Sequence, residues 1–416
     1  MEKKEEMLYQ ERMQRCQDAI ELKEPDRVPI CPMIGIVPYT LDGCSNKDAM
    51  YNYDRATKAI VNFYKRYPML DVSQHSGFRS GRANELAGST MIDWPGRPGT
   101  KVPDQSTFQV MEFEYMKEDE YPEILQDFTG FMLRKYIPRA FPNLAGLSTI
   151  RFVPDEILGT NALSGLYTPE ALKAYQLLGE IAKEEEKRQT ANNHCSKLVE
   201  DLGFPPLYTG GGEVPFDVIG DYYRSTLPTL MDQIEREEEM EELFYRIADL
   251  EIANFQAFKE NNYPIKRVSF PMHKGMDGFM GPEQYEKLYW RPFKKIINAL
   301  LDMGVTPYLY TEGKYNTRLE QLKDLPKGKC MIHFEQVDIR QAKRILGDNS
   351  CIVGNFPMIL LEMGTPEQVT EKVKELLDIC MPGGGYIFDC DGSIDIAKEA
   401  NLDAMFSALE KYGSYK

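Results

Sequence analysis

A chain of 416 residues, 42% hydrophobic and 11% aromatic, can bury a large core and is not disordered in composition. Its formal net charge of −16 argues against a phosphate-backbone binder, which needs a basic face, so no nucleic-acid partner is expected. The charged opening MEKKEEMLYQERMQRC lacks a signal core, no run approaches the ~18 apolar residues of a membrane span, and eight cysteines over this length are no disulfide framework; the expectation is a reduced cytoplasm, away from membranes.

In chain order, residues 1–25 read as a charged helical lead-in. VPICPMIG (28–35) follows Pro25 and Arg27 and reads as a first barrel strand, with Met33 near its end as a candidate substrate contact. A helical segment follows near 47–66. Residues 71–115 are rich in Gly, Pro and Ser, with DWPGRPGTKVPDQS the clearest loop. Their length predicts an insertion over an active-site mouth.

From residue 200 the pattern is regular. FPPLYTGG (204–211) is strand-like and 232–262 is amphipathic and helical. RVSFPMH (267–273) is strand-like, and 282–304 is helical. TPYLYTE, KCMIHFE, CIVGNF and GGYIFDC are four further strand-like runs, separated and followed by helical stretches near 316–324, at DIRQAKRILG, at PEQVTEKVKELLDICM and from about 396. Strand–helix alternation with a strand count near eight predicts an α/β fold, a (β/α)8 TIM barrel forming one domain over 1–416. No G-x-G-x-x-G or Walker motif follows a strand, which weakens nucleotide-cofactor readings.

In such a barrel the C-terminal strand ends converge on one mouth, where chemistry sits. Glu312 closes TPYLYTE, His333 and Glu335 close KCMIHFE, and Cys390 closes GGYIFDC. A carboxylate, an imidazole and a thiolate together suit an open zinc site, so Glu312, His333 and Cys390 are the expected metal ligands. Each has a plainer alternative: a turn acid, a hydrogen-bonded core histidine, an inert buried cysteine. Glu335 or Tyr310 are alternatives for the third ligand. PMHKGMDGFM (271–280) places His273, Lys274 and Asp277 in one strand-end loop, suited to substrate contact or proton transfer. FDVIGDYYRS (216–225) adds Asp217, Asp221 and Arg224 in an aromatic setting. His273 and Tyr310 are candidate proton donors; Asp217, Arg224 and Asp277 are candidate substrate contacts.

With these residues in view, the chain resembles the uroporphyrinogen decarboxylase superfamily over most of its length, most clearly from 264 onward. EPDRVPI resembles the family's opening strand, and GPEQYEKLYWRPFKKIINAL its S-P-E-x-Y … P-x-x-K-x-I helix. DIRQAKRILGDNSCIVGNF resembles its A-K-x-x-L-G … G-N segment, and GGGYIFDCDGSI its last strand and loop. The family fold is a (β/α)8 barrel. True decarboxylases carry an R-Q-A-G-R-type motif after the first strand; here ICPMIGIVPYT has no arginine, which disfavours porphyrinogen decarboxylation. The zinc-dependent methylcobalamin:coenzyme M methyltransferases use His-x-Cys at one strand end and a cysteine at the last. Here that position reads Tyr310-Thr311-Glu312, while Cys390 matches the last cysteine. A Glu/His/Cys set is harder than a thiolate-rich one and makes a stronger Lewis acid.

The resemblance therefore implies a corrinoid-dependent methyltransferase of the O-demethylase kind. It would move a methyl group from a methoxylated, aromatic compound to cobalamin, using Zn2+. The chain has no D-x-H-x-x-G motif, so the cobalamin is expected on a separate corrinoid protein. The alternatives are a methylcobalamin:thiol methyltransferase and a non-catalytic scaffold barrel. A homodimer is compatible with the sequence, which decides neither oligomeric state nor the direction of transfer.

Overall fold

The computed structural model describes residues 3–152, 158–261 and 263–415. Met1 and Glu2 of the expected lead-in, and Asn262 at the end of the expected 232–262 helical stretch, lie outside them.

Six parallel strands form a sheet in chain order: Gly210–Gly211, Arg267–Met272, Thr306–Thr311, Met331–Phe334, Cys351–Gly354 and Tyr386–Ile387. Two more segments close it into a barrel. Residues 28–34 pair with the last strand through Ile30 and Phe388, and with 71–75 through Ile34 and His75. Residues 71–75 in turn pair with the segment leading into the third strand through Ser73 and Pro206. The backbone bonds Cys31 N to Phe388 O, Asp71 N to Ile30 O and Ser73 N to Pro205 O, 2.7–2.9 Å, continue the ladder around the circle. The eight-stranded barrel expected from the strand count is thus present. Its second strand lies within 71–115, the stretch read as a loop-rich insertion. DVSQH is short and carries polar residues at its end, so its periodicity is weak.

The barrel core is predominantly apolar. Val268, Phe270, Leu309, Ile332, Ile352 and Tyr386 are fully buried, as strands covered on both faces require. Asp71 is one of the buried polar exceptions. Fully buried, it accepts bonds from the Ile30 amide (2.7 Å), Arg27 (2.6 and 2.9 Å) and Arg15 (2.5 Å). It thereby fastens the first strand and the helix Lys3–Ile20 to the second strand.

Helices wrap the outside. Pro169–Glu200, 32 residues, is the longest; Thr168 caps its first turn by accepting from the Ala171 amide, and Pro169 occupies its first position. Arg291–Asp302 and Pro366–Cys380 turn apolar stripes inward. The rest of the 71–115 stretch holds the helix Gly81–Ala87 and a small antiparallel pair, Ile92–Asp93 with Gln109–Val110. It reaches the segment after the third strand, where Glu112 and Glu114 receive bonds from Thr226 and Arg224. Among the described residues no helix is long and apolar enough to cross a membrane.

Candidate active site at the barrel mouth

The third strand ends in a glycine run, then Glu213 and the turn Pro215–Asp217, which passes into a π-helical turn, Val218–Tyr223. The wider π geometry sets Asp217 and Asp221 towards the end of the fourth strand. Asp217 is fully buried and accepts from the backbone amides of His273 and Lys274 (both 2.9 Å) and from the Tyr289 hydroxyl (2.7 Å). It pins the loop that follows Met272. Asp221 takes the two side chains of that loop: His273 Nδ1 lies 2.6 Å from one oxygen, and the Lys274 ammonium is bonded to the other. Gly220 makes this possible, since a β-carbon there would occupy the space of the Lys274 methylenes. On its other side, His273 Nε2 faces Glu312 Oε1 at 3.3 Å.

His273 therefore sits between two carboxylates, with a third beneath it. Burial works against its charged form, but the bonds to Asp221 and Glu312 outweigh it and hold the imidazole pKa up at about 11. Glu213 is displaced differently. Burial dominates and lifts it to about 7, against the opposing pull of His273 and of the Tyr222 hydroxyl that donates to it at 3.1 Å. Glu213 Oε2 is buried with no partner among the described residues. One mouth thus holds an imidazole biased towards its charged form beside a carboxyl pushed up to about 7, the separation of pKa values that acid–base sites exploit.

His333 belongs to a second cluster, deeper in the barrel. It is fully buried, and burial lowers its pKa to about 4, so the ring is neutral. Nε2 lies 2.7 Å from the Cys390 carbonyl, which assigns the proton to Nε2 and leaves Nδ1 a bare acceptor without a partner among the described residues. Tyr310 stacks on the ring, centroids 4.6 Å apart and planes 18° apart. Gly354, at φ +94°, lets the neighbouring strand approach the His333 ring, where a β-carbon would collide. Burial, with Glu312 and Glu335 nearby, pushes the Tyr310 phenol far up, which keeps it protonated.

The expected zinc ligands are therefore divided. Glu312 faces His273, His333 is bonded to a backbone carbonyl, and the Cys390 thiol is buried and pushed well up by burial, Asp389 and Asp391. Among the described residues no three His, Cys, Asp or Glu side chains gather as a metal-binding group. As placed, Glu312 and His333 hold separate partners, and among the described residues His333 Nδ1 is free to accept. Glu335 bonds the Gly313 amide.

The structure engages the expected substrate contacts elsewhere. Arg224 is buried in a two-pronged pair with Asp232 (2.5 and 2.9 Å) and also donates to the Met116 carbonyl. Asp277 binds the amide and hydroxyl of Thr317, tying its loop to the one after the fifth strand. The Met33 amide donates to Asp389 at 2.8 Å. The sequence reading brought His273 and Glu312 forward, but it missed Glu213. The one signal for Glu213 was an acid directly after the glycine run that ends the third strand.

Comparison with known proteins agrees with this architecture. The family model described as uroporphyrinogen decarboxylase (URO-D) matches residues 168–412. Two curated relatives, each named methylcobamide:CoM methyltransferase MtbA, come from Methanosarcina acetivorans and Methanosarcina mazei. They are 29% and 30% identical over 167 residues, 40% of this chain and 47% of theirs. The chain thus spans about half the length of the curated relatives it matches. A solved structure of a methyltransferase from Methanosarcina mazei superposes with a TM-score of 0.58 at 16% identity, covering 96% of this chain and 98% of that one. It shares the fold. With more than half of its length matched by the family model and the barrel closed strand by strand, the chain belongs to the uroporphyrinogen decarboxylase family.

Proposed function

We propose that this chain is a corrinoid-dependent methyltransferase. It moves a methyl group from a methoxylated small molecule, aromatic by preference, to cobalamin carried by a separate corrinoid protein. The observation that carries the reading is His273, held as an imidazolium between Asp221 and Glu312 at the mouth of a URO-D-family barrel. The names of the two Methanosarcina relatives support the corrinoid.

The bound corrinoid supplies the nucleophilic cobalt that receives the methyl group. The protein's task is the leaving oxygen. As the oxygen–methyl bond breaks, its electron pair stays on oxygen, and a proton from His273 Nε2 neutralises it. The Asp221 carboxylate on Nδ1 favours the charged imidazole, so the proton is available at Nε2. Asp221 keeps Nδ1–H and fixes the ring. Glu312, still in contact with solvent, gives up its bond to Nε2 when the substrate oxygen takes its place. The exposed Leu227, Met231 and Ile234 of the helix Thr226–Glu235, beside Val110 and Phe113, offer an apolar rim for a protein partner.

A second reading is methyl transfer from the corrinoid to a thiol, as the relatives' names describe for them. His273 would then stabilise the attacking thiolate. The test follows methyl transfer spectroscopically with the full chain and a cobalamin, in both directions. Methoxyarene supplied with cob(I)alamin should be demethylated; reaction only between a thiol and methylcobalamin selects the second reading; neither reaction overturns the proposal.

A further inference from the structure

A cavity of about 330 Å3 opens at the mouth where the barrel closes, between the ends of the first, second and eighth strands. Its volume suits a single small ring or short chain. Tyr39, Phe78 and Phe108 give it apolar walls, and Arg79 and Asp395 are its charged members. Phe108 belongs to the 71–115 stretch, so that stretch covers one side of the pocket.

Arg79 is the informative residue. It follows the second strand, and its guanidinium carbon lies 4.2 Å from the centre of the Phe108 ring. That stack holds the planar group while leaving its N–H edges open. Among the described residues it has no ion pair and no hydrogen bond. Glu185, which shares a neighbouring cavity with Arg79, is paired with Arg188 at 2.6 Å. Asp395 is engaged by the Ile36 amide, which donates to it at 3.2 Å.

We propose that Arg79 is the anchor for an oxyanion tail, a carboxylate or sulfonate, on the small molecule that exchanges its methyl group at this mouth. A guanidinium with open edges pairs such a group through two parallel N–H bonds. The tail is thereby held on the side of the mouth where the first, second and eighth strands end. This rests on the proposed methyl transfer for the identity of the molecule, though not for the binding itself. Selection follows from it: anionic donors or acceptors bind, and neutral analogues of the same shape bind poorly.

The test measures binding by calorimetry with the full chain and no corrinoid present. The ligands are 4-methoxybenzoate, its neutral methyl ester, and 2-mercaptoethanesulfonate, for wild type, Arg79→Gln and Arg79→Lys. At least one of the two anions should bind wild type tenfold or more tightly than the ester. Arg79→Gln should remove that advantage and Arg79→Lys should retain part of it. Which anion binds separates a carboxylated donor from a sulfonated thiol. Equal binding of anion and ester, or an anion affinity unchanged in Arg79→Gln, overturns the anchor. An Arg79-dependent affinity in a protein that transfers no methyl group leaves the anchor standing and removes the proposed reaction.

Discussion

At the residue scale, the mouth depends on what Asp221 does to His273. A histidine normally titrates near 6.5, and burial alone would lower it further, as happens to His333. The carboxylates on both ring nitrogens reverse that sign and raise His273 to about 11. Methyl transfer should therefore show no falling limb from His273 below about pH 10. Asp221→Asn removes the stronger partner, so the imidazole pKa drops, and the falling limb should move towards neutrality. An NMR titration of the imidazole with the pH–rate profile checks this; an unmoved limb would separate His273 from the rate. The same shift acts on stability. A pKa raised on folding contributes stabilisation that is complete below about pH 6.5 and is lost as the pH rises through about 11. The residue types at this site were readable: a histidine, a lysine and acids at strand ends. The pairing was not, because Asp221 and His273 lie 52 positions apart in sequence. Only the π-helical turn brings them together.

At the element scale, the segments flanking the third strand were the least legible and matter most. The turn Val218–Tyr223 has no periodic signature, and the 71–115 stretch reads as loop by composition. The structure joins the two through Arg224. Its guanidinium is buried against Asp232 and also bonds Glu114 and the Met116 carbonyl. Arg224, chosen from sequence as a substrate contact, has its guanidinium engaged in holding this covering segment against the barrel. Asp232→Ala should leave that charge buried without its main partner, costing about 3–5 kcal/mol. Denaturant unfolding of the variant measures the loss. A change under 1 kcal/mol would show that the clamp is dispensable. The regular elements from 264 onward were legible because strand runs and amphipathic helices alternate there without interruption. The helix Pro169–Glu200 was not, since little of its surface is buried and its apolar stripe is faint.

At the scale of the whole molecule, closing the barrel depends on a short second strand that offers little hydrophobic pattern. A buried acid holds it in place. Asp71 joins Arg15, Arg27 and the Ile30 amide, and so ties the leading helix and both closing strands together. Asp71→Ala should destabilise the protein by about 3–5 kcal/mol in denaturant unfolding, because two partly buried guanidinium groups lose their shared acceptor. A wild-type unfolding midpoint would show that closure does not depend on it. The family and the barrel were legible in the linear motifs, whereas the partners of Glu312 and His333, which come from other elements, were not. In the folded chain Glu312 and His333 serve two clusters, one around His273 and one under Tyr310. The measurement that bears most directly on the account is single-turnover methyl transfer between the small molecule and cobalamin, comparing wild type with His273→Ala at equal folded content. The account predicts transfer by wild type and a loss of about 10²-fold or more in the variant; a variant as fast as wild type would contradict it.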